Sequence, residues 1–217
     1  MRKFQLFIKR AFDLTAGVIG LLVMIIIPVM IVIPIVIRLT SKGPAVFTQE
    51  RVGKDGKVFK IYKFRTMLIP EESFDAQGNP LEPKQRITKV GAVLRKTSLD
   101  EIMQIFNVIN GTMSFVGPRP TLPYQSERYN ERQKRRHEMR PGITGWAQVN
   151  GRNDLSWSEK LEYDVEYIEK FSLWFDIKIF LKTVAVVFKQ DGIAFTKNDA
   201  INAKTQATQP EKELVEK

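Results

Sequence analysis

The chain has 217 residues, no cysteine and one histidine, with 34 Lys and Arg against 24 Asp and Glu, a net charge of +10. Within it, disulfides, thiolate ligands and a multi-histidine metal site are excluded, and the length suits one domain with an anchor and a tail. The cationic excess points to an anionic partner, whether nucleic acid, an acidic membrane surface or a phosphorylated substrate.

The first element is apolar. Residues 14–37 carry no charge and are dominated by Ile, Val, Leu and Met. A straight helix of that length would reach roughly 36 Å, enough to cross a bilayer core. Pro28 and Pro34 lie inside it, however, and lack the N–H groups that would bond back to Met24 and Met30. A break near Pro28 leaves two arms, neither long enough to cross alone. Basic residues flank both ends: Arg2, Lys3, Lys9 and Arg10 before, Arg38 and Lys42 after. Symmetric positive flanks favour a segment that enters and leaves by the cytoplasmic face. A proline-kinked spanning helix is the alternative, and the residues alone leave both open.

Beyond the anchor, Ala45–Arg51 and Lys57–Thr66 read as strands joined by a turn at Asp55-Gly56. Residues 71–84 read as a polar loop. A helix is expected from Ser98 to about Ile109, opened by a Ser98/Glu101 capping box and stopped at Asn110-Gly111. Glu127–Met139 is a charged helical candidate, and the single histidine within it, His137, is expected to be solvated beside Lys134, Arg135 and Arg136. Ser156 to about Lys170 is a further helix. Ser172–Lys189 carries a wide apolar face that is either buried or laid in a membrane interface, with Lys178, Lys182 and Lys189 toward the headgroups. From Thr196 onward the chain is polar and lacks aromatics, as a disordered tail does.

Asp100 and Glu101 at a helix start invite two explanations. Acidic residues stabilise a first turn by about 0.3–1 kcal/mol each without any chemistry. The same position favours an ionised carboxylate beside a bound phosphate, so Asp100 is also a candidate nucleophile. Two anions meet only if cations neutralise them, and oxygen-ligated Mg2+ suits a chain without thiols. Arg119, held between Pro118 and Pro120, is stiff enough to grip phosphate, and Arg95, Lys63 and Arg65 are further candidates. Arg140-Pro141-Gly142-Ile143-Thr144-Gly145-Trp146 combines a cation, glycines and an aromatic, as a nucleotide or lipid pocket would.

Taken in order, the anchor, Phe59–Met67, Leu94–Glu101, Met113–Pro120 and Arg140–Arg152 resemble the bacterial sugar transferase family, closest to its small members, the monotopic phosphoglycosyl transferases. The resemblance covers roughly residues 5–190. It implies an α+β, mostly helical fold, with a re-entrant membrane helix over residues 1–40 bent near Pro28. A cytosolic catalytic domain with a small β-hairpin and interfacial amphipathic helices would occupy 41–195, and a tail 196–217. It implies a transferase that moves a sugar-1-phosphate from a UDP-sugar to polyprenyl phosphate through a covalent Asp100 intermediate, releasing UMP. Asp100 would also ligate Mg2+, with Glu101 in support. Lys63, Arg65, Arg95 and Arg119 would surround the phosphates, and Arg140, Trp146, Gln148 and Arg152 would lie near a nucleotide or lipid pocket. N-acetylated amino sugars are plausible donors by the same similarity. The partners implied are the UDP-sugar, polyprenyl phosphate, membrane lipids of the bacterial inner membrane's cytoplasmic face, and downstream glycosyltransferases, but no nucleic acid. Two rival classes are a membrane-tethered nucleic-acid binder using Lys134-Arg135-Arg136 and a non-catalytic scaffold that tolerates loss of Asp100.

Overall fold

The computed structural model describes residues 2–26, 28–151 and 155–189. The apolar segment forms two helices, α1 (Arg2–Ile26) and α2 (Val29–Thr40), with Pro28 at the N-terminal cap of α2. A 60° bend separates the arms, and no single helix among the described residues is long and apolar enough to cross a membrane. Pro34 sits inside α2 without ending it.

The first half of α1 is fastened to the rest of the chain by polar side chains. Buried Asp13 accepts a hydrogen bond from the Phe115 N–H at 3.1 Å, and Lys9 pairs with Asp176 at 2.6 Å. Arg10 donates to the Val108 and Ile109 carbonyls, satisfying the end of a helix. Charges that read from sequence as a cytoplasmic flank are therefore partly spent inside the protein. The outer faces are a different matter. Phe7, Phe12, Ile25, Ile31 and Leu39 are each more than 60 % exposed or close to it.

Strands β1 (Val46–Val52) and β2 (Val58–Phe64) form the expected antiparallel hairpin, with Val46 opposite Phe64 and Val52 opposite Val58. Asp55 and Gly56 both take positive φ, 57° and 74°, which is the backbone a tight hairpin turn demands. Helix α3 (Lys89–Lys96), capped by Thr88, was not expected. Its Gly91 lies flat on β2's exit, where a Cβ would come within 2.0 Å of the Thr66 carbonyl oxygen.

The expected helix at Ser98 is present but differently built. Leu99–Gln104 is a 3-10 turn that passes into α4 (Ile105–Ile109). Ser98 is left-handed, at φ 57°, and makes no side-chain cap, so the expected capping box does not form. Asn107 of α4 locks this unit to the hairpin, accepting from the Tyr62 N–H and donating to the Lys60 carbonyl.

Strand β3 (Ser114–Val116) pairs in parallel with β4 (Gly142–Thr144). The close approach needs glycine: a Cβ on Gly142 would lie 2.1 Å from the Gly117 nitrogen. Between them, the single helix expected over Glu127–Met139 is broken. Short α5 (Pro123–Ser126) and α6 (Glu131–Lys134) are followed by a 3-10 turn, Arg135–Glu138, because Asn130 and Gln133 form a fresh capping box. After α7 (Trp146–Val149), helix α8 (Trp157–Lys170) opens on a Ser156/Glu159 capping box.

Helix α9 (Leu173–Lys189) buries Ile179 in a core with Val116, Met139, Tyr167 and Ile168. Full burial of each such side chain contributes about 1.5–3 kcal/mol. Its other face exposes Trp174, Ile177, Phe180, Leu181 and Val184. Lys182 does not point away as expected but lies over the Trp146 ring, 4.7 Å from its centre, with Lys178 at 5.7 Å. The architecture is thus mostly helical α+β. The polar tail expected from residue 196 lies outside the described residues.

Candidate active site

The 3-10 turn presents Asp100 and Glu101 to the end of β2. Strand alternation places Lys63 on the hairpin face that meets this turn, and its Nζ lies 2.7 Å from Glu101 Oε1. Arg119 arrives from the loop after β3 and places Nη2 2.7 Å from the same oxygen. Glu101 is therefore gripped by two cations from separate elements. Burial alone would raise its carboxyl, but the charges and hydrogen bonds of Arg119 and Lys63 outweigh that and hold it well below the usual carboxylate range.

Asp100 is set apart from its neighbour. Among the described residues no hydrogen-bond donor reaches its carboxylate, and it is half-buried. Burial, with the adjacent Glu101 charge, pushes its pKa up against the pull of Lys63, Arg95 and Arg119. The pair is thus divided into a fixed anion and a more basic carboxylate, a separation typical of sites with distinct chemical roles. Arg95, on α3, donates from Nε to the Thr66 hydroxyl at 2.9 Å, which holds its charge near Asp100.

The loop carrying Arg119 is itself anchored from below. Arg136 is buried and donates to the Arg119 carbonyl, to Thr121 Oγ1 and to Tyr129 Oη, while pairing with Asp164 of α8. His137, expected to be solvated, is instead half-buried. It stacks on Tyr129 and sits 3.0 Å from Ser126 Oγ, and burial together with the Arg136 charge pushes its pKa down to about 4.

A basic loop is thus clamped to a hairpin, with one carboxylate paired and its neighbour taking no hydrogen bond from the described residues. Residues 4–190 match the family described as bacterial sugar transferase. The chain belongs to the bacterial sugar transferase family.

Among relatives of this sugar transferase, a Bacillus subtilis protein named "Uncharacterized sugar transferase EpsL" is 46 % identical over 87 % of this chain and 91 % of its own length. A UDP-glucose:undecaprenyl-phosphate glucose-1-phosphate transferase of Escherichia coli is 45 % identical, over 82 % of this chain but 39 % of its own. A UDP-N-acetylgalactosamine-undecaprenyl-phosphate N-acetylgalactosaminephosphotransferase of Aeromonas hydrophila is 42 % identical, over 83 % and 44 %. The chain thus spans less than half the length of the latter two and nearly all of the first.

Within this sugar transferase, Lys63, Arg95, Asp100, Glu101 and Arg119 converge. Arg65 does not join them. It lies past the end of β2, where its buried guanidinium donates to the Ser41, Lys42 and Gly43 carbonyls at the end of α2. Its observed job is to tie the second apolar arm to the hairpin.

The glycine-rich signature also has structural work to do. Arg140 donates to the Gly111 carbonyl at 2.7 Å, and Gln148 Nε2 to the Ile143 carbonyl. Trp146 donates to Glu166 at 2.9 Å and packs on Phe175. Arg152 lies outside the described residues. Of the residues that a nucleic-acid reading would use, Lys134 pairs with Glu131, Arg135 with Glu138 and Glu169, and Arg136 is buried. Sequence reasoning missed Arg51, which enters the site from β1. Its signal was its place two residues from Gln49 on the strand face that also carries Lys63.

Proposed function

We propose that this chain is a phosphoglycosyl transferase that moves a sugar-1-phosphate from a UDP-sugar to polyprenyl phosphate. The observation that carries this reading is the divided acidic pair: Glu101 is clamped by Lys63 and Arg119, while the Asp100 carboxylate accepts no hydrogen bond from the described residues. The names of the relatives, which specify undecaprenyl phosphate and UDP-sugar donors, support the substrate class.

In the first step an Asp100 oxygen attacks the β-phosphorus of the donor. The bond from that phosphorus to the bridging oxygen breaks, UMP leaves with the electron pair, and a sugar-phospho-aspartyl enzyme remains. A polyprenyl phosphate oxygen then attacks the same phosphorus and returns Asp100 as carboxylate, giving polyprenyl diphosphate sugar. Splitting the transfer spares two multiply charged substrates from meeting directly. Lys63, Arg95 and Arg119 face the charge on the transferring oxygens. Glu101 orders two of those cations and is poorly placed to substitute for Asp100.

Asp100, whose carboxylate takes no hydrogen bond from the described residues, would hold Mg2+. No group of three or more His, Cys, Asp or Glu able to hold a metal occurs among the described residues, and Mg2+ commonly takes one or two carboxylates with phosphate and water. When bound, it supplies charge neutralisation to the phosphoryl oxygens.

The bent apolar pair and the exposed faces of α1, α2 and α9 support a re-entrant, membrane-seated enzyme. Large apolar side chains stand exposed along all three helices, as they do on a membrane-facing surface. That geometry would hold the site at the headgroup level of the bacterial inner membrane's cytoplasmic face, where downstream glycosyltransferases would take the product.

The test is UMP release from a panel of UDP-glucose, UDP-galactose and UDP-N-acetylated sugars by the full chain in detergent with Mg2+. The expected result is sustained release only when polyprenyl phosphate is added, with one donor preferred. A folded chain that releases UMP from no donor, with or without acceptor, would contradict the reading.

A further inference from the structure

Beside the acidic pair lies a small open cleft of about 30 Å3 lined by Arg51, Ile61, Lys63, Gln104, Arg119 and Pro120. The hairpin register pairs Arg51 with Phe59, Gln49 with Ile61 and Phe47 with Lys63, so Arg51 shares a sheet face with Ile61 and Lys63. The cleft thereby collects three cations, two of which, Lys63 and Arg119, are paired with Glu101. Arg51 forms no ion pair among the described residues. Its Nη2 donates to the neutral Gln49 Oε1 at 2.6 Å, and its Nε is buried without a partner. A half-buried guanidinium with an unpartnered Nε and no direct ion pair is costly, with only the more distant Glu101 charge to offset it, and structures retain such groups chiefly where a ligand completes them.

We propose that Arg51, with Lys63 and Arg119, forms a second anion subsite that binds a phosphate group next to the one attacked by Asp100. Burial and the Arg119 charge push the Arg51 pKa down to about 10, so it stays cationic at neutral pH while being held against a like charge. A phosphate dianion in the cleft relieves that repulsion and can accept from the guanidinium's terminal N–H groups. The chemistry fits two sources: the nucleotide phosphate that leaves as UMP, and the phosphate of the polyprenyl acceptor. The proposal rests on the transferase reading for its place in the reaction, but not for the existence of the subsite.

The test uses the full chain in detergent and the variants Arg51→Gln and Arg51→Lys, with circular dichroism to verify folding. Binding of radiolabelled UMP is measured without turnover, and KM is measured separately for UDP-sugar and polyprenyl phosphate. Loss of charge-assisted hydrogen bonds in Arg51→Gln should weaken one ligand about tenfold or more. Arg51→Lys, which keeps the charge but not the planar fork, should weaken the same ligand less. Weaker UMP binding identifies the nucleotide phosphate; a raised KM for polyprenyl phosphate alone identifies the acceptor. If UMP binding and both KM values stay within twofold of wild type in the folded variants, the subsite is wrong. Should Arg51→Gln fail to fold, unchanged values in Arg51→Lys overturn it equally. UMP binding needs no catalysis, so its loss in Arg51→Gln would stand even if the wild-type chain transferred no phosphosugar.

Discussion

Asp100→Asn should lower UMP release by on the order of 10⁶-fold, the scale seen when a covalent nucleophile is removed while its surroundings remain. The carboxamide matches the carboxylate in size but cannot displace a phosphoryl leaving group. Glu101 cannot take over, because both its cationic partners would have to let go and its carboxyl is held far below the usual range. Folding should be unaffected: Asp100 accepts no hydrogen bond from the described residues, so nothing structural is broken. Rate and thermal midpoint measured on one preparation separate the two effects. Near-native turnover in this variant would remove Asp100 from the chemistry and leave a scaffold that merely keeps the fold.

Asp164→Ala should be the most damaging change to stability, costing about 3–5 kcal/mol, or roughly 10 °C in melting temperature. Asp164 and Arg136 expose only 4 % and 3 % of their side chains, so the truncation strands a buried guanidinium. Burial pushes the Asp164 pKa up to about 6 even against the Arg136 charge, which shows how much desolvation the pair carries. An apolar replacement of both partners, Asp164→Leu with Arg136→Met, should therefore recover most of the stability. Activity should not return with it. Arg136 also donates to the Arg119 carbonyl, and without that contact the loop bearing Arg119 loses its anchor. Urea midpoints and kcat for the single and double variants test both halves of this expectation. A double variant with restored turnover would show that Arg136 only fills space.

Much of the scaffold was legible in the residues because its signals are local. The hairpin declares itself through alternation and Asp55-Gly56, and α8 through the Ser156/Glu159 box. The bend near Pro28 follows from a missing N–H. What sequence misread was set by partners far along the chain. Glu101 could not close a box with Ser98 because Lys63 and Arg119 claim its carboxylate. Helix α3 hid behind Gly91, whose cost in helix propensity is offset by a backbone approach that only glycine allows. The Lys134-Arg135-Arg136 run read as solvated charge, yet Arg136 turns inward to meet Asp164, a residue 28 positions away. Arg65 looked like a companion of Lys63, but the strand ends at Phe64 and the next side chain reaches for the carbonyls of α2.

At the site, the acidic pair and Arg119 were visible as residue types, but their division of labour was not. That division is a tertiary property, since it depends on two cations converging on one carboxylate while the adjacent one is left open. The same convergence draws Arg51 into the cleft; alternation along β1 hinted at its face, but the register that sets it beside Lys63 is known only from the fold.

The central claim is that Asp100 carries the phosphosugar. The most direct measurement is to incubate the full chain with labelled UDP-sugar and Mg2+ but no polyprenyl phosphate, quench in acid, and examine the peptides by mass spectrometry. Label on the peptide containing Asp100, formed with about one equivalent of UMP and discharged by added polyprenyl phosphate, is the predicted outcome. Unmodified peptide, with UMP appearing only when donor and acceptor are present together, would mean direct transfer and contradict the account.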